Sequence, residues 1–203
     1  IPLEKLRFIN SALSSTWADA DIRDITFTFR GKTIDSRLDL LLNGMPVNGS
    51  LSVLMDGKVI DLGDLDMDVG EGNISARGNI LPVLQVEGTL TEIGVPELVS
   101  FWPDADPSAF DGQFSSSFEG EGTWEDPNIS GQFTFSGTRL LNLPFNRAGA
   151  RWRYHENRLD LADLDAFVLG FPLKGNMAFV FRDAPARLLV DLEGSQVDLS
   201  SIK

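Results

Sequence analysis

The chain contains the same run of residues twice. Ile60-Asp61-Leu62-Gly63-Asp64-Leu65-Asp66 returns as Leu159-Asp160-Leu161-Ala162-Asp163-Leu164-Asp165, an offset of 99. Around it the order of features is kept. A corner, Met45-Pro46-Val47-Asn48, returns as Leu143-Pro144-Phe145-Asn146 at an offset of 98. A basic-Gly-Asn triplet read as a turn, Arg77-Gly78-Asn79, returns as Lys174-Gly175-Asn176 at 97, and Val86-Glu87-Gly88-Thr89 returns as Leu192-Glu193-Gly194-Ser195 at 106. Offsets that drift by a few residues describe two copies of one unit with short loop insertions. A repeated unit buries its apolar face on its neighbour, so the repetition points to an extended surface rather than to one catalytic pocket. We place the units at residues 1–103 and 104–203, as one continuous structure cut from a longer array.

A seam of apolar and polar residues recurs beside the units: Ile1-Pro2-Leu3-Glu4-Lys5-Leu6, Val95-Pro96-Glu97-Leu98-Val99 and Val197-Asp198-Leu199-Ser200-Ser201-Ile202. Each is long enough for one helical turn, and Pro stands near the start of the first two, where its missing N–H costs nothing. Apolar positions at Leu3, Leu6, Ile9 and Leu13 extend helical spacing over residues 2–15, so a short N-terminal helix is expected. The chain has no initiator Met and no basic-then-apolar leader, so any targeting segment is expected outside it.

Beyond Trp17 the period becomes two. Phe27 and Phe29, Leu38 and Leu40, Leu51 and Val53, Leu84 and Val86 alternate with polar or small residues in the first unit. Phe133 and Phe135, Leu159 and Leu161, Met177, Phe179 and Phe181, and Leu188 and Val190 do so in the second. Turn residues separate the runs: Arg30-Gly31-Lys32, Asn43-Gly44, Asp56-Gly57, Gly70-Glu71-Gly72, His155-Glu156-Asn157 and Asp183-Ala184-Pro185. A dozen or more short strands between such turns make an all-β, antiparallel meander. Trp102 to Pro107 reads as a Pro/Asp corner between the units.

Each strand has one apolar face, and an antiparallel sheet must cover such a face. A second sheet would do so, giving a β-sandwich. So would curling of the sheet into an elongated trough, a β-taco. Periodicity alone does not separate them, because the same side chains serve as sandwich core or trough lining. A sheet that runs on from unit to unit tiles at this repeat length, whereas a closed barrel does not, and this favours the trough.

Gly131-x-Phe-x-Phe-x-Gly137, then Leu141-x-Leu-Pro-Phe145, then a hairpin into Leu159-Asp-Leu-x-x-Leu164 and an amphipathic strand resembles the AsmA-like superfamily of TamB-, AsmA- and YhdP-type proteins. The resemblance spans nearly the whole chain and consists of structural repeat motifs. It implies a protein of the bacterial periplasm and cell envelope whose parent chain is anchored in the inner membrane. It also implies a U-shaped β-trough that binds or conducts phospholipid or another envelope lipid, or that assists assembly of outer-membrane β-barrel proteins. No catalytic residues come with it. A plain structural spacer is the remaining alternative.

The physical demand fits that role. Exposing a 16-carbon acyl chain to water costs on the order of 12 kcal/mol, and a uniform Leu/Phe surface offsets this along a path. The residues expected to line the groove are the apolar ones named above. Arg147, Arg151 and Arg153, with Arg158, form the one basic patch and are candidates for lipid headgroups at the trough edge; since Arg151 and Arg153 alternate with Trp152 and Tyr154, they read equally as solvated outward residues of a strand.

The net charge of −13 disfavours nucleic acid as a partner. The absence of Cys removes disulfides, thiolate nucleophiles and cysteine zinc sites. Asp64-x-Asp66-x-Asp68 resembles a calcium loop only in its carboxylates. Leu65 and Met67 intervene, and period two puts the three on one solvated strand face. His155 is the single histidine, falls in a turn, and has no Gly-x-Ser-x-Gly elbow to serve. No phosphate-binding or dinucleotide loop is present, so neither a cofactor, nor a metal, nor an enzymatic activity is expected.

Overall fold

The computed structural model describes residues 4–14, 19–100, 106–140, 143–168, 170–181 and 187–194; the side chains of residues 13, 14, 138, 140 and 143–145 are outside the description. Thirteen strands form one antiparallel sheet in which spatial order equals chain order. They are β1 (Lys5–Ser14), β2 (Asp19–Arg30), β3 (Thr33–Leu42), β4 (Met45–Asp56), β5 (Val59–Val69), β6 (Gly72–Leu81), β7 (Leu84–Gly94), β8 (Asp111–Gly122), β9 (Pro127–Leu140), β10 (Leu143–His155), β11 (Arg158–Val168), β12 (Phe171–Val180) and β13 (Arg187–Gly194). A helical turn, α1 (Val95–Val99), and a 3-10 turn at Pro107–Ala109 lie between β7 and β8. β1 and β13 each pair on one side only, so the sheet is a curled, open trough and not a barrel.

The expected hairpins form where the turn chemistry placed them. Asn43 and Gly44 both take positive φ (50° and 82°), as a two-residue hairpin loop matched to strand twist requires. Glu156 and Asn157 (49° and 57°) do the same after His155. The turn expected at Asp183-Ala184-Pro185, the corner at residues 101–105 and the closing seam at residues 197–202 lie outside the described residues.

The repetition appears as matched strands. β4, β5, β6 and β7 correspond to β10, β11, β12 and β13, and even the irregularities correspond. The register of β5 on β6 slips between Leu62 and Leu65, and that of β11 on β12 slips between Leu161 and Leu164, 99 residues on. Gly78 and Gly175 sit opposite these bulges with φ of 126° and 149°. A Cβ on either would strike the backbone of the next strand, Gln85 O at 2.1 Å or Asp191 O at 2.0 Å. The two basic-Gly-Asn triplets are therefore mid-strand bulge positions and not turns. The two units share one sheet through β7 and β8, which pair from Leu84↔Gly122 to Gly94↔Gln113.

Two expectations change at the N-terminus. Residues 5–14 form strand β1 and not a helix, with Leu6 opposite Phe27 and Phe8 opposite Ile25. Leu6 and Phe8 also satisfy a period of two, and the open edge of β2 supplies hydrogen-bond partners that an isolated short helix lacks. The edge-to-face contact of Phe8 with Phe27, centroids 6.4 Å apart, adds to the choice. The opening seam is also not equivalent to the second one. β1 starts at the end of the sheet opposite to α1, while the second seam forms α1 as expected, with Pro96 in its first turn.

Candidate functional site

Residues directly opposite on antiparallel strands project to the same face. Followed from strand to strand, the register joins the candidate groove residues into continuous rows. One row crosses all thirteen strands: Leu6, Phe27, Ser36, Leu51, Leu65, Ala76, Gly88, Phe118, Gly131, Trp152, Leu161, Met177 and Val190. A second runs from Phe29 through Ile34, Val53, Leu62, Gly78, Val86, Gly120, Ile129, Tyr154, Leu159 and Phe179 to Leu188. A third includes Leu38, Gly49, Met67, Ile74, Leu90, Ser116 and Phe133. Leu40 lies in line with Val47, Leu84 opposite Gly122, and Phe135 opposite Phe114. Phe181 follows β12 and is exposed. All the candidate strand residues thus fall on one face.

That face is only half covered. Phe27, Phe29, Leu38, Leu40, Leu51, Val53, Val86, Phe133, Leu159, Leu161, Met177 and Phe179 are of intermediate exposure. A second sheet packed on the first would bury them, so the sandwich alternative does not describe this molecule. Leu188 and Val190 on edge strand β13 are exposed, while Phe135 and Leu84 are buried.

Burial concentrates at the strand ends that carry α1. Met45, Val47, Val69 and Ile93 form one buried cluster, with Leu98 of α1 against it. Val95 and Val99 of the same turn pack with Phe135, Phe110 and Phe114 in another. Asn43 Nδ2 donates to Ser100 O (3.4 Å), tying the C-terminal end of α1 to the β3–β4 turn. The apolar face is therefore stopped at one end and open along the rest of the strands.

Glycines alternate with aromatics on its floor. A Cβ on Gly88 would lie 2.5 Å from Phe118 Cζ, so the Phe118 ring occupies the space above that glycine. A Cβ on Gly131 would come to 3.0 Å from Trp152 Nε1, so the Trp152 indole lies over Gly131 in the same way. The indole N–H donates to Ser116 Oγ (3.2 Å), and that buried hydroxyl donates to Gln132 O (3.0 Å). Buried Ser36 donates to Leu51 O (3.2 Å). The polar atoms in the floor are thus bonded inward, leaving an apolar surface. Ser116 and Ser36 were not among the groove candidates, because a serine in an alternating run reads as an outward residue.

The opposite face is polar. Asp64, Asp66 and Asp68 alternate outward with inward Leu65, Met67 and Val69, as period two requires, and Asn73 Nδ2 donates to Asp66 (2.7 Å) and Asp68 (3.1 Å). Among the described residues no group of three or more potential ligands is placed to hold a metal ion. Arg151 and Arg153 stand on this face, opposite Gln132 and Ser130, and not at a trough edge. Arg151 is bonded to Asp163, and Arg153 Nε donates to Asn128 Oδ1 (2.9 Å). Arg147 is exposed on the same face, opposite Ser136. Together with Arg77, Glu87, Glu119 and Gln132, Arg151 and Arg153 line a shallow cleft of about 880 Å³ that crosses β5 to β11. The Arg158 guanidinium beside Asp160 is held above its ordinary value by their hydrogen bond. His155 Nδ1 lies 4.0 Å from Asp160, and no Ser hydroxyl is bonded to it. Trp124 is exposed in the β8–β9 turn.

Among the described residues no helix is long and apolar enough to cross a membrane. No protein-family model, no curated protein and no solved structure matches the chain.

Proposed function

We propose that this chain is a segment of a bacterial envelope protein whose apolar β-trough binds or conducts lipid. The observation that carries the reading is the set of in-register apolar rows, left half-exposed from β1 to β13. An apolar face of this extent on a folded chain marks an interaction surface. Its uniformity suits sliding of an acyl chain rather than capture in one pocket, and its length is on the order of 60 Å at the usual strand spacing. The AsmA-like motifs of the second unit support the same reading.

Native mass spectrometry of the purified chain, with lipid extraction in parallel, tests it. Phospholipid is expected to co-purify, and Phe133→Asp or Phe179→Asp is expected to reduce it at least severalfold while the circular dichroism stays native. A clean protein mass, together with no uptake of a fluorescent phospholipid, would overturn the reading.

One observation favours a second reading, a chaperone-like module for outer-membrane β-barrel proteins. All eight residues of β13 are exposed, and its free edge carries Leu188, Leu189, Val190 and Leu192. Such an edge accepts an added strand. Binding of an amphipathic strand peptide that Val190→Pro abolishes, without lipid binding, would favour this second reading.

A further inference from the structure

Among the described residues, every large apolar side chain that stands exposed falls in one of three places: edge strand β1, edge strand β13, or the strand ends far from α1. The two edges lack a neighbour on one side, which explains their exposure. The far end does not. Leu54, Met55 and Val59 flank the β4–β5 turn, Val83 is in the β6–β7 turn and Trp124 in the β8–β9 turn, and all these strands are paired on both sides. At the α1 end the inward strand residues are sealed, with Val47 2% and Ile93 0% exposed; at the far end Leu84, inward on β7, is buried too (4%), but the turn residues beside it stand out, with Val83 54% and Trp124 57% exposed.

Trp124 is fixed in this position. Its indole N–H donates to Ile80 O (2.9 Å), so the β8–β9 turn is fastened to the end of β6 and the polar atom of the ring is satisfied. What remains outward is apolar ring. Alternate turns stand about 10 Å apart, at twice the strand spacing. The apolar tips therefore form a line of separate points with polar residues between them. A folded protein partner calls for a contiguous patch, whereas the interfacial layer of a bilayer accepts separate points of this kind.

Charge separates the two ends as well. The far-end turns and the strand residues beside them balance Arg30, Lys32, Lys58 and Arg158 with Asp56, Glu125, Asp126 and Glu156, and Lys32 bonds Asp56 at 2.5 Å. The α1 end carries Asp68, Glu71, Glu92, Glu97, Asp106 and Asp111 against Arg139. In a chain of net charge −13, the far end is the one that approaches a phosphate-bearing surface without repulsion.

We infer that the far end of the strands is a bilayer-docking lip: Leu54, Met55, Val83 and Trp124 seat in the interfacial layer of a zwitterionic phospholipid membrane, with the acidic α1 end turned to water. This deepens the lipid-handling reading and rests on it for what the docked lip delivers. An acyl chain leaving the bilayer meets the open apolar face at the lip and is stopped by α1 at the opposite end.

The test is co-sedimentation of the full chain with phosphatidylcholine–phosphatidylethanolamine vesicles, with quenching by brominated lipid in parallel, read in a chain that carries Trp17→Phe, Trp102→Phe and Trp152→Phe so that Trp124 alone gives the signal. The chain is expected to sediment with vesicles. Val83→Asp and Leu54→Asp are each expected to weaken partitioning about tenfold, as loss of one buried apolar side chain does. Trp124→Phe is expected to retain binding and Trp124→Ser to lose it, while Ile9→Ser, opposite Asp24 on the polar side of β1, changes nothing. Binding is expected to survive about 0.5 M salt, which screens surface charge. Unchanged binding of Val83→Asp, loss of binding in salt, or a Trp124 that lipid does not quench would each overturn the inference. Uptake of a monomeric short-chain phospholipid is measured separately. Uptake without vesicle binding sinks the lip and leaves the trough standing; vesicle binding without uptake does the reverse.

Discussion

At the residue scale, the glycine–aromatic pairs decide how the apolar floor is built. Gly88 and Gly131 are spaces that the Phe118 and Trp152 rings occupy, on a row that crosses the whole sheet. Gly88→Val would put a Cβ 2.5 Å from Phe118 Cζ and 2.4 Å from Ser75 O. The ring can rotate away but the carbonyl cannot. The substitution is expected to lower stability by about 1–3 kcal/mol in denaturant titrations, the usual effect of overpacking. Adding Phe118→Leu is expected to recover part of the loss and not all of it, since the clash with the Ser75 carbonyl remains. Full recovery would show that the ring alone fills the site. The large apolar residues of this floor were legible because each sits in a period-two run. The glycines were legible only as small residues, since the space above Gly131 is taken by the Ser117 carbonyl of one neighbouring strand and the Trp152 ring of the other, 14 and 21 residues away in the chain.

At the scale of the element, β1 shows where local pattern stops being informative. Leu3, Leu6, Ile9 and Leu13 fit a helix, while Leu6 and Phe8 fit a strand equally well, and the free edge of β2 decides. The Arg77-Gly78-Asn79 triplet was misread for the opposite reason. Its glycine signalled a backbone with positive φ, and that backbone lies mid-strand in β6, opposite a bulge in β5, rather than in a turn. α1 was legible, because Pro96 and the following apolar residues make a start signal that needs no partner. β1 has one ionic tie to β2 that responds to pH. Arg7 Nε donates to Asp24 Oδ1 at 2.8 Å, and this bond holds the Asp24 carboxyl below the usual carboxylate value. A folded-state value below the unfolded one means that the pair contributes above the ordinary carboxylate range, and that the contribution is lost as pH falls through the depressed value. The pair lies at the surface, with Asp24 half-buried, so the effect is local. In an NMR titration, β1 amides are expected to move towards unpaired shifts below about pH 4 while β4–β9 stay fixed. Arg7→Gln is expected to remove that dependence. Simultaneous loss of signals from β1 and β5 would show that acid acts globally instead.

At the scale of the whole molecule, curvature was the least legible property. Period two identified an apolar and a polar face but did not show how far the sheet would curl, nor that the polar face would hold a shallow cleft across β5 to β11. Curl is a summed twist of many strands and belongs to no residue. Arg151 and Arg153 lie on the polar face, and not at a trough edge, because they alternate with inward Trp152. The coupling of the two units is the remaining property of this scale. They meet in the β7–β8 ladder and through α1, whose Leu98 packs on the Met45–Ile93 cluster while Val95 and Val99 pack on Phe135. In a sheet where each strand pairs only with its chain neighbours, stability is a sum of successive interfaces, and cooperativity is only as strong as the weakest internal one. Ser117→Pro places a residue without an N–H in the centre of β8, opposite Thr89 and Gln132. Hydrogen exchange of the unmodified chain is expected to give one common opening energy for β3–β6 and β9–β11. In the variant the two groups are expected to separate, with the second unit opening first because the defect lies in its own first strand. A variant in which both groups weaken equally would show that α1, and not the β7–β8 ladder, carries the coupling. The helical turn that stops the apolar face would then also be the element that makes two repeats into one trough.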